Sequence, residues 1–546
     1  MPTKTAPAGG DTALIDRPRT APDVAVHEPV EDGAPWVVQR GHHQHFRVAP
    51  DLARLIRTLD GTRDHAELAQ VLGPPWTSGH VDTAVRKLAG SKLLDDGRPR
   101  RRRASWVRFV PPLTVQFTVV RPERVLARLV PVISVLANRA MAVLAAAVAV
   151  GGILALALLA PALTDALGRP LPLAAYLGVV AGVLATTVVH EIGHGAVLTY
   201  YGGRPSRMGV MLFYLSPAFF CDVSDGWRLP HPQQRVKVAL AGITTQTVIA
   251  GSAALTALFL GPTTLRDALL VLALTTYVSG LVNLLPLVKL DGYIALMSHL
   301  DIPHLRDRAM TDGRRYLTRV LFGGRYEREL PGRSWVVPYG LACAAFPLYI
   351  VAGALALWSD VLQRMGPVGA WMLFLGLGYL VYRLGAGYVG ACREARAAGG
   401  RAWRMAAVTA VVAGAVTATV LLVHLPLTVS GGYVTRADGR VELVLPTSAD
   451  RELIREGATV ELLRSGLMTK KQTGSATVVT AAPAESTASI SAFLPVRTDA
   501  LPSPVLAYRL QVGQAPEDRT GTARIDAGTR PLWDWALTKY IAPVWR

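Results

Sequence analysis

The chain has 546 residues, 51% of them hydrophobic and only 18% charged, with a mean hydropathy of +0.31. That is too apolar for an ordinary soluble enzyme and too poor in charge for a disordered chain, and the formal net charge of +18 in such a chain points to an anionic membrane face rather than to nucleic acid. The three cysteines, Cys221, Cys343 and Cys392, have no CxxC spacing, which excludes a disulfide scaffold and a cysteine-based zinc site.

Residues 1–35 are polar and rich in Pro, Asp and Thr; they read as a disordered tail without the apolar core of a cleavable signal peptide. Residues 36–97 read as a small α+β domain. Two short strand-like runs, Trp36–Val38 and His45–Val48, flank Gly41, and Pro50 opens a helix with Leu52, Leu55, Ile56 and Leu59 on one face. Asp64 and Glu67 have capping-box spacing at the start of a second helix, and a third has Val81, Val85 and Leu88 on its apolar side. Residues 98–140 read as a basic juxtamembrane linker that begins with the run Arg98 to Arg103.

Seven apolar runs of spanning length follow between 141 and 426, at about 141–163, 171–200, 237–260, 267–288, 336–357, 367–390 and 404–426. Lys and Arg number 5, 9 and 4 in the segments 201–237, 289–334 and 392–404, against one each in 164–170, 261–266 and 358–366. This asymmetry predicts a cytoplasmic N-terminus and, after seven spans, an extracytoplasmic C-terminal domain. Residues 427–546 turn to short Val- and Thr-rich alternating runs, with Glu456-Gly457 as a turn into a strand, and read as an all-β domain. The aromatic tail Trp533, Trp535, Tyr540 and Trp545 suits either a membrane interface or packing on that domain.

The second span contains His190-Glu191-Ile192-Gly193-His194, which is H-E-x-x-H. On a helix the two imidazoles stand one above the other and can share a Zn²⁺ ion, and the adjacent carboxylate of Glu191 reaches an attacking water as general base. Ionisable groups inside an apolar span are costly and point to function. Catalytic zinc takes three protein ligands, and the best third candidate is Asp291 in Leu290-Asp291-Gly292, just past the fourth span. His190 lies about twenty residues, roughly 30 Å, into its span, so both pieces reach a similar depth. Taken alone, an Asp before Gly also reads as a turn residue. His231, His299 and His304 read as solvated loop residues, and His42, His43 and His45 would splay apart along a strand.

H-E-x-x-H in one span, with Asn283-Leu284-Leu285-Pro286 and then Leu290-Asp291-Gly292 after a later one, resembles the site-2-protease class of intramembrane zinc metalloproteases. Phe219–Pro230 and Val238–Gly242 are similar to a bacterial peptide zinc metalloprotease branch found in ribosomal-peptide (daptide-type) pathways. The resemblance implies that His190, His194 and Asp291 bind zinc, that Glu191 is the catalytic carboxylate and that Asn283 positions substrate. Many relatives read G-P-x-x-N where this chain has Gly242-Ile243-Thr244-Thr245-Gln246, a departure that leaves the role of that Asn open, with Gln246 as the candidate substitute.

His45-Phe46-Arg47-Val48-Ala49-Pro50, Leu59-Asp60-Gly61-Thr62-Arg63 and Lys92-Leu93-Leu94 give residues 36–97 a resemblance to PqqD-like domains. These are winged-helix-like and capture a leader peptide as an added edge strand. The expectation is a polytopic α-helical membrane protein with a PqqD-like N-terminal domain and an all-β extracytoplasmic domain, in the cell membrane. Its expected activity is zinc-dependent cleavage of a precursor or membrane-embedded peptide near the cytoplasmic face, in contact with the lipid bilayer and with an exporter but not with nucleic acid. The competing functions are regulated intramembrane proteolysis of a signalling protein and a non-catalytic export or efflux subunit.

Overall fold

Short local patterns account for the first elements of the chain, which we describe from a computed structural model. It describes residues 15–28, 36–40, 44–95, 106–110, 114–213, 216–364, 367–446, 451–467, 470–493, 496–497 and 502–542. The chain divides into two compact units, one of residues 1–145, 185–246 and 294–301, the other of 146–184, 247–293 and 302–546.

The first unit begins with strands β1 (Val24–His27), β2 (Trp36–Arg40) and β3 (Gln44–Val48), an antiparallel sheet in that order, followed by helices α1 (Pro50–Thr58), α2 (His65–Leu72) and α3 (Ser78–Gly90). Val38 faces Val26 on one side and Phe46 on the other, and packs with Leu55, Ile56, Leu59, Leu68, Val81, Val85 and Leu88 in one core. The Asp64 side chain accepts from the N–H groups of Ala66 and Glu67 while Glu67 accepts from the Asp64 N–H, so the capping box forms as its spacing predicts. Part of the expected tail belongs to this sheet. Val24 and Val26 pack on the core with Ile15, and Thr20 bridges to Leu94. A four-residue strand needs a partner to form, and here β2 supplies it.

The region expected as a linker is also structured over much of its length. Strands β4 (Val107–Val110) and β5 (Thr114–Val120) join β7 (Met208–Phe213) and β8 (Ser216–Cys221) in an antiparallel sheet, order β4-β5-β7-β8. Two short helices, α4 (Glu123–Ala127) and α5 (Val130–Leu136), lead to α6 (Arg139–Leu158). The basic run 98–103, residues 41–43 with His42 and His43, and Trp545 lie outside the described residues; for His45 only the backbone is described.

The remaining helices are α7 (Ala160–Gly168), α8 (Leu173–Tyr200), α9 (Pro232–Leu258), α10 (Thr264–Leu284), α11 (Asp291–His299), α12 (Leu305–Phe322), α13 (Val336–Arg364), α14 (Pro367–Ala397) and α15 (Ala402–Leu422). Seven of the described helices, α6, α8, α9, α10, α13, α14 and α15, are long and apolar enough to cross a membrane. In the second unit, small residues let helices approach: Ala155 of α6, Ala253, Ala254 and Ala257 of α9, and Leu270 and Ala273 of α10 share one cluster.

The C-terminal part of the second unit is all β. Strands β9 (His424–Thr435), β10 (Val441–Pro446), β11 (Thr459–Ser465), β12 (Lys470–Val478), β13 (Ala484–Ser489), β15 (Pro502–Gln514) and β16 (Thr520–Pro531) form one antiparallel sheet, β10-β9-β16-β11-β12-β15-β13. β10 also pairs with β15, which closes the sheet into a barrel around Tyr433, Leu443, Leu462, Tyr508 and Ile525. Outside it, β14 (Val496–Arg497) runs parallel to β6 (Leu171–Pro172), just ahead of α8. Gly457 has the positive φ of 76° that its turn requires. Trp535 in the short helix α16 (Leu532–Ala536) donates from Nε1 to the Pro426 carbonyl at 3.1 Å.

Candidate metal centre

Helix α8 sets the geometry of the two imidazoles. His190 and His194, four residues apart, share a helix face and are 3% and 4% exposed. Their Nε2 atoms lie 3.1 Å apart with ring planes at 83°. Each ring is oriented from α9. The Val238 carbonyl accepts from His194 Nδ1 at 2.7 Å, and Gln246 Oε1 accepts from His190 Nδ1 at 3.1 Å. The Val238 carbonyl can only accept, so His194 has its proton on Nδ1 and a lone pair on Nε2; with Gln246 presenting Oε1, the same holds for His190.

Two such lone pairs face each other at a cost unless a cation lies against both. Tetrahedral zinc with Zn–N bonds of about 2.0–2.1 Å holds its nitrogens about 3.3 Å apart, close to the spacing here. The ligand atoms of His190, His194 and Asp291 all lie within 4.8 Å of one another, and these three residues make up a group that could hold a metal ion.

The space for an ion is kept by a missing side chain. A methyl group built at Gly242 of α9 would lie 2.5 Å from His194 Nε2 and 2.6 Å from His190 Nε2, closer than real contacts allow. The first residue of the Gly242–Gln246 segment therefore leaves the nitrogens open, and the last is buried, 3% exposed, against His190.

Comparison with protein-family models, curated proteins and solved structures finds no match to this chain.

Glu191 is half-buried, and its Oε2 accepts from the Cys221 backbone N–H at 2.7 Å. The edge strand β8 thus fixes one oxygen of the carboxylate. The Cys221 thiol itself is pushed far above the usual thiol range by burial and by the charges of Glu191 and Asp222. Asn283 stands half-buried in the last turn of α10, and no hydrogen bond of its side chain is found among the described residues. His231, His299 and His304 are exposed and lie outside the metal-binding group.

Sequence reasoning had no access to the Val238 carbonyl or the Cys221 N–H, because any residue has these groups. Gly242 stood in the sequence only as part of the Val238–Gly242 resemblance, and the packing of α9 on α8 gives it a meaning.

Within the same unit, Asp301 accepts from Arg47 of β3 at 2.6 Å and from Arg235 of α9 at 2.7 Å. Both guanidinium groups lie over the Trp227 ring, at 5.9 and 5.5 Å. The Arg47 hydrogen bond, with the charges of both arginines, holds the Asp301 carboxyl below its ordinary value. This cluster ties the N-terminal sheet to the start of α9.

Proposed function

We propose that this protein is an intramembrane zinc metallopeptidase of the site-2-protease kind that matures a ribosomally made peptide near the cytoplasmic face of the cell membrane. The observation that carries the reading is the convergence of His190, His194 and Asp291, with Glu191 next to the first of them. Two imidazoles and one carboxylate leave a position open for water or substrate, which is the ligand pattern of catalytic rather than structural zinc.

Zinc bound there would polarise the scissile carbonyl and acidify a water molecule. Glu191 takes the proton of the attacking water and passes it to the departing amide nitrogen. The Cys221 N–H holds Glu191 in place for both transfers. Val238 and Gln246 accept from Nδ1 of each imidazole, which would leave both Nε2 atoms to hold the metal. Asn283 is assigned to positioning the substrate, and Gln246, from its contact with His190, to orienting that ring rather than the substrate.

The substrate class rests on the N-terminal domain. Its strand β3 pairs only with β2 among the described residues, which suits capture of an extended leader peptide along the other edge. The basic bias of alternate loops supports a cytoplasmic N-terminus and an extracytoplasmic barrel.

The test uses the full chain in liposomes with a library of membrane-spanning peptides, made with and without N-terminal leader extensions. Glu191→Gln is expected to lower cleavage by about 10²- to 10⁴-fold with bound zinc unchanged, and His194→Ala to lose both zinc and cleavage. A chelator stops the wild-type reaction and added zinc restores it. Cleavage that survives Glu191→Gln, or a wild-type protein that binds no zinc, overturns the proposal; equal cleavage without the leader removes the peptide-maturation part.

A further inference from the structure

Asp291 follows a break between helices. α10 ends at Leu284, α11 starts at Asp291, and residues 285–290 are irregular. Carbonyls in such a segment have no helical partner and must find one elsewhere. Side chains of two other helices reach two of them. Tyr339 of α13 donates from its hydroxyl to the Pro286 carbonyl at 2.7 Å, and Arg306 of α12 donates from Nε to the Leu287 carbonyl at 3.0 Å.

The same guanidinium donates from Nη2 to the Cys343 carbonyl at 3.1 Å, tying α12 to α13, and has Nη1 3.7 Å from Asp307. The segment is held tightly elsewhere too. The Leu290 N–H donates to the Val288 carbonyl at 2.7 Å, and a methyl group at Gly292 would overlap the Leu284 carbonyl oxygen. Arg306 therefore uses two of its donors on main-chain carbonyls, one of them four residues before Asp291.

We propose that Arg306 and Tyr339 are positioning residues for the metal site: by fixing the path of residues 285–290 they set where the Asp291 carboxylate stands. This inference rests on the reading of Asp291 as a metal ligand. It assigns a role in metal affinity to two residues that approach the ion only through the backbone.

The test is a double-mutant cycle on the full chain in detergent, with zinc alone as the probe and affinity read by competition with a chromophoric chelator. Arg306→Gln is expected to weaken zinc binding by about 10- to 100-fold, the usual effect of losing a group that orients a ligand. In an Asp291→Asn background the same change is expected to cost less than about 3-fold, because residues that act through one another are not additive. Arg306→Lys, which keeps one donor, recovers part of the affinity. Unchanged zinc binding in Arg306→Gln, or an equal loss in both backgrounds, overturns the proposal, the latter by showing a purely structural role. If Arg306→Gln fails to fold, Tyr339→Phe, which deletes one hydroxyl, goes through the same cycle, where unchanged binding or an equal loss in both backgrounds again overturns the proposal. Wild-type affinity in Asp291→Asn alone overturns the metal-site reading and this inference with it, whereas a weakened Asp291→Asn with an additive cycle overturns only the inference.

Discussion

Gly242→Ala adds one methyl group to α9 and tests the metal geometry directly. The new carbon would stand 2.5 Å from His194 Nε2, 2.6 Å from His190 Nε2 and 2.7 Å from His190 Cδ2. Ordinary contact begins near 3.4 Å, so a relief of about 0.9 Å is needed. The imidazoles cannot swing freely, because Nδ1 of each is tied to α9 itself, at Val238 and Gln246. Either the rings tip and lose those bonds or α9 moves off α8. Metal sites tolerate about 0.2 Å in ligand distance, so the displacement exceeds tolerance several-fold. We expect zinc affinity to fall at least about 100-fold, which is about 2.7 kcal/mol, while overpacking costs the fold about 1–3 kcal/mol. The assay is chelator competition on detergent-purified protein, with helical content followed by circular dichroism. Gly251→Ala is the control: on the same helix its methyl group would overlap the Val148 carbonyl, so it should cost stability and spare zinc affinity. A Gly242→Ala protein that binds zinc as tightly as wild type refutes the convergence of both Nε2 atoms on the space beside Gly242.

Gln246→Leu keeps most of the side-chain volume but removes the acceptor for His190 Nδ1, leaving a buried donor at a cost of about 1–3 kcal/mol and lowering zinc affinity about 10-fold or more; unchanged affinity in the same titration would show that the 3.1 Å contact does not orient the ring. The Arg47–Asp301–Arg235 cluster should weaken in acid. The Asp301 carboxyl is held below its ordinary value of 3.8, so its contribution is complete above that pH and is lost as pH falls through the lower folded value. Limited proteolysis between the N-terminal domain and α4 should therefore accelerate at low pH in the wild type and already be fast at pH 7 in Asp301→Asn; a protease-resistant Asp301→Asn protein at neutral pH would dismiss the tie.

Local chemistry made much of the architecture legible. The seven long helices follow from apolar runs of sufficient length, a property of contiguous sequence. The Asp64–Glu67 cap and the apolar face of α1 depend on spacings of three and four residues, which any chain segment reveals. His190, Glu191 and His194 were visible for the same reason, since their helix brings them together without help from the rest of the molecule.

What escaped were pairings between distant segments. β1 looked like part of a polar tail because four residues show no pattern until β2 lies beside them. β4 and β5 looked like linker because β7 and β8, which complete their sheet, come after the second long helix. Asp291 was ambiguous between turn residue and ligand, and only the three-dimensional distances bring it to the imidazoles. The tautomer of His194, the space kept by Gly242 and the support of residues 285–290 by Arg306 and Tyr339 depend on backbone carbonyls and an absent side chain. Such groups belong to every residue or to none, so sequence alone set the paired imidazoles and the helix that presents them, while tertiary packing decided which way they point, how much room lies between them and which carboxylate joins them.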